Sequence, residues 1–340
     1  KISQYHHKES NFISKIEILL RNYSKEIKNS FLNIQIFNIF KDNKRLLLFL
    51  FDEKIIFMDK YIITKIFSEK YEKMQYPQYF YPEIKPFINE KWFPKTTDLP
   101  DSIPDNFYEL RKTGETENQL LNFIRNDLID DFIVYVNKNN FSLDSKITLS
   151  FYDTNYFLIK QNEVTLIEYA SFCGSYRIFN YLYRNGVELT SNLWIFAIHG
   201  KNAEIIQILE EKKIQIDKKS LYESIKCHHN NIANYLIQNY NQNKGMITIS
   251  KFLKSYNFQF IENGLYSTCY LDDLCKYNSF IFICIFIKTK ELDVNKIIES
   301  FYNELLYLAV EKENIEIIKV LLTYERLDIN KLYILIIFFY

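Results

Sequence analysis

The stretch NELLYLAVEKENIEIIKVLLTYERLDIN (residues 303–330) has an echo just upstream, YLDDLCKYNSFIFICIFIKTKELDVN (270–295), and the two copies close on LDIN and LDVN. Self-similarity at a period of tens of residues marks repeat architectures, and the same pattern runs through the rest of the chain. With Ala309 as anchor, Leu306 lies three residues before it, and Ile317, Ile318 and Leu321 lie eight, nine and twelve after it. The same offsets hold Trp194, Ile205, Ile206 and Leu209 around Ala197, and Ile167, Ile178, Phe179 and Leu182 around Ala170. They recur around Ser224 (Leu221, Ile232, Ala233, Leu236), Leu274 (Leu271, Phe282, Ile283, Phe286) and Ile124 (Leu121, Phe132, Ile133, Val136).

The template has a direct physical reading. The anchor and the residue three before it share one face of a short helix. The apolar doublet and the residue beyond it form the buried stripe of a second helix. Between them lie polar breaks such as FCGSYR, HGKNAE and CHHNN. Each copy therefore predicts a helix, a tight turn and an antiparallel helix, and such a hairpin buries its apolar faces only by stacking on its neighbours. Anchors spaced 27 residues apart (Ala170 to Ala197 to Ser224) predict minimal connectors, and the longer steps predict insertions near 138–164 and 239–268. Within the first we expect an extended finger. Within the second, SKFLKSYNFQFI (250–261) reads as a degenerate further helix pair.

The stretch TLIEYASFCGSYRIFNYLYRNGVEL (165–189) resembles the ankyrin repeat. Thr165, Ile167, Ala170, Gly174, Ile178, Leu182 and Gly186 occupy that family's characteristic places, while Leu166 stands for its Pro and Glu168 for its His. Residues 303–330 match in the same way, with Asn314 at the turn. Ser224 and Leu274 depart from the small anchor residue kept at Ala197 and Ala309. The chain is also similar to the divergent ankyrin proteins, with an associated domain of unknown function, that are expanded in some unicellular eukaryotes and parasites. The resemblance implies an all-α fold, an ankyrin-type helical-hairpin solenoid over residues 118–331.

Outside the array, residues 1–76 read as a helical N-terminal module, with apolar spacing in FISKIEILL (12–20) and in the run from Ile36 to Phe67. Ile36, Ile39, Leu47, Leu48 and Phe51 also fit the repeat offsets, with Ile39 as anchor. All six prolines fall between Pro77 and Pro104. Because proline removes a donor and restricts its predecessor, residues 77–117 are expected to be a connector without regular helix or sheet. Phe87, Trp92 and Phe93 are expected to pin it down. The chain begins at Lys1, and LYILIIFFY (332–340) is an apolar tail with no polar capping unit after it. We expect a piece of a longer product, the tail being either a truncated repeat or an odd native end.

Composition narrows the function. Lys plus Arg and Asp plus Glu both number 42, so no basic footprint for nucleic acid is expected. The longest apolar runs fall short of the ~20 residues of a membrane helix, and the N-terminus has no signal-peptide core. Five sparse cysteines suggest reduced thiols in a cytoplasmic protein. Phosphate-cradling loops and zinc spacings are absent from the sequence, so no cofactor and no metal is expected. Cys227-His228-His229 is the one dense cluster of reactive types, but adjacent helical side chains diverge too far to close on one metal. Asp130 and Asp131 sit where carboxylates favour a helix N-terminus.

The resulting expectation is a non-catalytic scaffold that binds protein partners on the concave face of the array. Turn and finger positions supply the candidate contacts Lys201, Asn202, Lys218, His228, His229, Tyr302, Asn303 and Glu313. Ile124, Ala170, Gly174, Gly186, Ala197, Ser224, Leu274 and Ala309 are expected to define the repeats. The competing reading is an enzyme, with a site in the N-terminal module or an activated thiol at Cys227.

Overall fold

The computed structural model describes residues 10–94, 99, 102–114, 118–161, 163–240 and 249–260, with 277, 315 and 318–319. The chain divides into two compact units, Lys1–Asp217 and Lys218–Tyr340. It is mostly helical. Among the described residues the only strands are two short ones, β1 (Lys146–Ile147) and β2 (Val164–Thr165), paired antiparallel with Lys146 opposite Thr165.

In the first unit, residues 10–66 form α1 (Ser10–Asn22), α2 (Ser24–Ser30), α3 (Asn33–Phe40), α4 (Lys44–Asp52) and α5 (Lys60–Ile66). Asn43 and Asp59 open α4 and α5 by accepting the backbone N–H groups of Leu46 (3.0 Å) and Ile62 (2.9 Å), the usual use of Asn and Asp as N-caps. The apolar stripes of these helices converge on one core that includes Phe37, Leu47, Leu50 and Ile62. The repeat offsets fail at α3, however. Ile39, the position of the anchor, is 59% exposed, whereas Ile124, Ala170, Ala197 and Ser224 are all fully buried. The offset match there reflects the density of Leu and Ile, not a repeat.

The proline-rich stretch is more regular than expected. After α6 (Glu69–Lys73), it forms α7 (Tyr76–Tyr79), α8 (Tyr81–Ile84) and a 3-10 turn at Lys85–Phe87. Pro77, Pro82 and Pro86 each sit in the first turn of their element, where the missing N–H has no intrahelical partner to lose. Tyr76, Tyr79, Phe80 and Ile84 are buried in the same core as α3–α5, and Phe93 packs on Phe67 at 5.3 Å between ring centroids. Phe87 lies 6.0 Å from Trp92. Arg111, on α9 (Phe107–Thr113), is buried and forms a bidentate pair with Glu83 at 2.7 and 2.9 Å. It also donates to the Tyr79 carbonyl at 3.2 Å.

Helix pairs follow in the order the template requires. The first three are α10 (Gln119–Arg125) with α11 (Ile129–Lys138), α13 (Leu166–Cys173) with α14 (Tyr176–Arg184), and α15 (Leu193–Gly200) with α16 (Ala203–Glu211). The first helices touch in sequence, α10 on α13 and α13 on α15, and so do the second helices, α11 on α14 and α14 on α16. Asp130 and Asp131 lie in the first turn of α11, as expected. Thr165 and Glu168 close a reciprocal capping box on α13: Glu168 N–H donates to Thr165 Oγ1 at 3.3 Å, and Thr165 N–H donates to Glu168 Oε2 at 2.9 Å. Gly174 ends α13 in the left-handed region (φ 70°). The insertion before α13 contributes β1, the short helix α12 (Tyr156–Ile159) and β2.

The second unit holds α17 (Lys218–Lys226), α18 (Asn230–Tyr240) and α19 (Ile249–Ser255), with a 3-10 turn at Phe258–Phe260. α17 packs on both α18 and α19. The degenerate pair expected over 250–261 thus has a first helix and a short second turn. The repeats anchored at Leu274 and Ala309, and the apolar tail, lie outside the described residues.

Candidate functional site

Every described template position is buried or half-buried. What the sequence did not reveal is how the polar turns between the helices are used. The residue five after the anchor reaches back to the preceding helix pair. Ser175 donates from Oγ to the Ile124 carbonyl, and Asn202 donates from Nδ2 to the Gly174 carbonyl at 3.1 Å. In the second unit Asn257 donates from Nδ2 to the Ile225 carbonyl at 2.9 Å and to Asn230 Oδ1 at 2.7 Å. Asn202 also caps its own α16, accepting from Ile205 N–H at 3.1 Å. Asp127 adds a crosslink of another kind. Held at φ 52°, its carboxylate accepts the Arg177 and Ile178 N–H groups, both at 3.0 Å, and so caps the next pair's α14. A carbonyl at a helix end must find a donor or face water, and these side chains supply the donor from the neighbouring pair.

Asn202 is half-buried and fastens two pairs together. His229 is 6% exposed, and His228, at φ 55°, has its Nε2 2.9 Å from the Ser255 carbonyl. Asn202 and His228 thus make contacts within the chain's own turns, and His229 is buried. Lys201 and Lys218 are exposed. Lys201 takes the left-handed conformation (φ 55°) that closes α15. Tyr302, Asn303 and Glu313 lie outside the described residues. Cys227 is fully buried.

Two features of this region escaped sequence reasoning. The first is Gly200. A Cβ built there would lie 2.0 Å from the Ser171 carbonyl oxygen and 3.1 Å from Gly174 N, so only glycine lets α15 approach α13 this closely. Its signal in the sequence is the Gly of HGKNAE, which the helix-pair template places in a polar break. The second is a polar cavity of about 580 Å³ in the first unit. Its wall includes Asp42, Arg45, Arg125, Asp153, Asn155 and Cys173. Asp42 accepts from Lys70 Nζ at 2.7 Å and from the Tyr71 hydroxyl at 3.2 Å. Arg125 donates to the Tyr169 hydroxyl at 3.3 Å; burial raises the Tyr169 pKa, Cys173 adds to this and Arg125 opposes it.

Lys44, beside this cavity at the start of α4, is 1% exposed. Its Nζ donates to the carbonyls of Phe151 (3.0 Å) and Asp153 (3.3 Å) and stands 5.3 and 5.1 Å from the rings of Tyr76 and Tyr79. Burial pushes the amine down to about 7, and the Asp153 carboxylate only partly offsets this.

The class these observations define is a mostly helical protein whose first unit holds three short helix pairs packed in chain order. Residues 185–263 match a family described as a domain of unknown function, DUF3447. The match spans α15 to the 3-10 turn after α19, well under half of the chain. No curated protein and no solved structure matches the chain. Among the described residues no helix is long and apolar enough to cross a membrane.

Proposed function

We propose that this chain is a non-catalytic interaction scaffold built as a divergent ankyrin-type array. The observation that carries the reading is the order of packing in the first unit: first helices touch first helices and second helices touch second helices, pair after pair. Such a stack builds stability from neighbour contacts alone and leaves a run of turns and helix faces for a protein partner. The Thr165 capping box, the left-handed Gly174 and the buried small anchors at Ala170 and Ala197 support it at single-residue level. Lys201 and Lys218 are the two described candidates that remain exposed, and each is proposed as a partner contact.

The test pairs capture with stability. Wild-type protein and the separate Lys201→Glu and Lys218→Glu variants are used as bait, with helicity and melting measured alongside. The reading expects a saturable protein partner whose binding weakens at least tenfold in a variant that melts like wild type. A partner bound equally by all three would remove these lysines from the interface. A wild-type bait that holds no partner through competition with excess unlabelled protein would overturn the scaffold itself.

A further inference from the structure

Residues 150–155 form a short segment lying against two separate elements, α4 and α9. Lys44 of α4 donates to its Phe151 and Asp153 carbonyls. Thr154 donates from both N (3.0 Å) and Oγ1 (3.1 Å) to the carbonyl of Gly114, the C-cap of α9. Phe151 and Tyr152 pack on Phe107 in a small cluster with Leu110 and Ile103. Asp153, Thr154 and Asn155 in turn line the polar cavity. Beyond that small cluster the segment is held by single hydrogen bonds to α4 and to the end of α9, a local attachment that can open without global unfolding.

We propose that residues 150–155 are an acid-released strap, fastened beside the cavity by the buried side chain of Lys44 and freed as that side chain becomes an ammonium ion. A neutral amine carries two N–H donors, and two carbonyls of the strap accept them. A third proton adds a full charge in a site from which water is excluded, and the closed strap must then bear its desolvation. The groups around it do not neutralise that charge. On the strap, the Asp153 carboxylate is turned to Ser150, accepting from N at 2.7 Å and Oγ at 3.2 Å. On α7, Tyr76 and Tyr79 present ring faces, which attract an ammonium ion weakly but carry no counter-charge, and burial keeps both phenols protonated well above their ordinary range. On α9, Arg111 lies over the Tyr79 ring and is engaged by Glu83 of α8. On α4 itself, the neighbouring Arg45 pairs with Glu17 at 3.5 Å, and Asp52 is raised by burial, with Arg111 opposing. Asp42 acts on Tyr76.

The direction follows from linkage. The closed state holds Lys44 at about 7 and an open strap returns it toward the ordinary 10.5, so the open state binds more protons between those values. Opening therefore becomes about tenfold easier for each pH unit lowered from 9 to 7 and levels off below 7. Native-state hydrogen exchange of the Thr154 amide, corrected for intrinsic rate, reads this directly on the full chain. The Phe179 amide, bonded to the Ser175 carbonyl, reports on the core. The expected result is a fall in Thr154 protection approaching a hundredfold from pH 9 to pH 6.5 while Phe179 protection holds. Lys44→Met should make Thr154 protection independent of pH, and Lys44→Arg, charged throughout, should hold it at the low-pH level. Unchanged wild-type protection at Thr154, or parallel loss at Thr154 and Phe179, would overturn the proposal even if neither variant folds.

Discussion

Replacing Gly200 by alanine sets two effects of opposite sign against each other. Gly200 is the last residue of α15 and has no left-handed φ, so local propensity alone favours alanine by about 1 kcal/mol. The new methyl carbon would fall 2.0 Å from the Ser171 oxygen, well inside the 3.0 Å below which real Cβ atoms essentially never come. That oxygen is backbone on α13 and cannot rotate away, so the two helices must part. Between them lie Phe172 and Phe196, buried, and His199, whose ring is 3.9 Å from Phe157 and 5.6 Å from Phe172. Overpacking of this kind costs ~1–3 kcal/mol, and a backbone-to-backbone clash belongs at the upper end. Net destabilisation of about 2 kcal/mol is expected after the propensity gain. Urea unfolding followed by circular dichroism measures it as a lower midpoint at unchanged slope. Gly200→Ala as stable as wild type, or more so, would refute the close approach of α13 and α15 and with it the tightest contact of the stack.

Two further outcomes bear on the links between pairs and on the N-terminal core. Asp127→Ala removes both acceptors at the start of α14, so a loss of ~1–2 kcal/mol is expected; Asp127→Asn, which keeps an acceptor, should recover part of it in the same urea titration. Arg111→Met leaves Glu83 without its bidentate partner, and a loss of about 3 kcal/mol is expected by thermal unfolding. The double variant Arg111→Met/Glu83→Gln should lose less than the single, because no carboxylate is then stranded.

The sequence by itself determined the helix pairs. The offsets around Ile124, Ala170, Ala197 and Ser224 follow from helical periodicity, and the full or partial burial of every one of them follows from the need to cover apolar stripes. The capping role of Thr165 and Glu168 is local too, decided within four residues. Three other outcomes depended on distant residues. Whether a proline breaks or begins a helix turned on its place within the turn, and Pro77, Pro82 and Pro86 begin theirs. Whether Ile39 was an anchor turned on the face its neighbours cover, and it is left exposed. Whether a polar turn residue meets a partner or its own chain turned on where the preceding helix ends. Asn202 and Asn257 donate to carbonyls left open by the pair before them, and His228 meets the Ser255 carbonyl. Lys44 is the extreme case: a lysine at a helix start reads as solvated, and only the return of residues 151–153 onto α4 buries it. Periodicity is written in neighbouring residues, whereas the partner of a polar group is fixed by a chain segment tens of residues away, and that segment is placed only once the helices have packed.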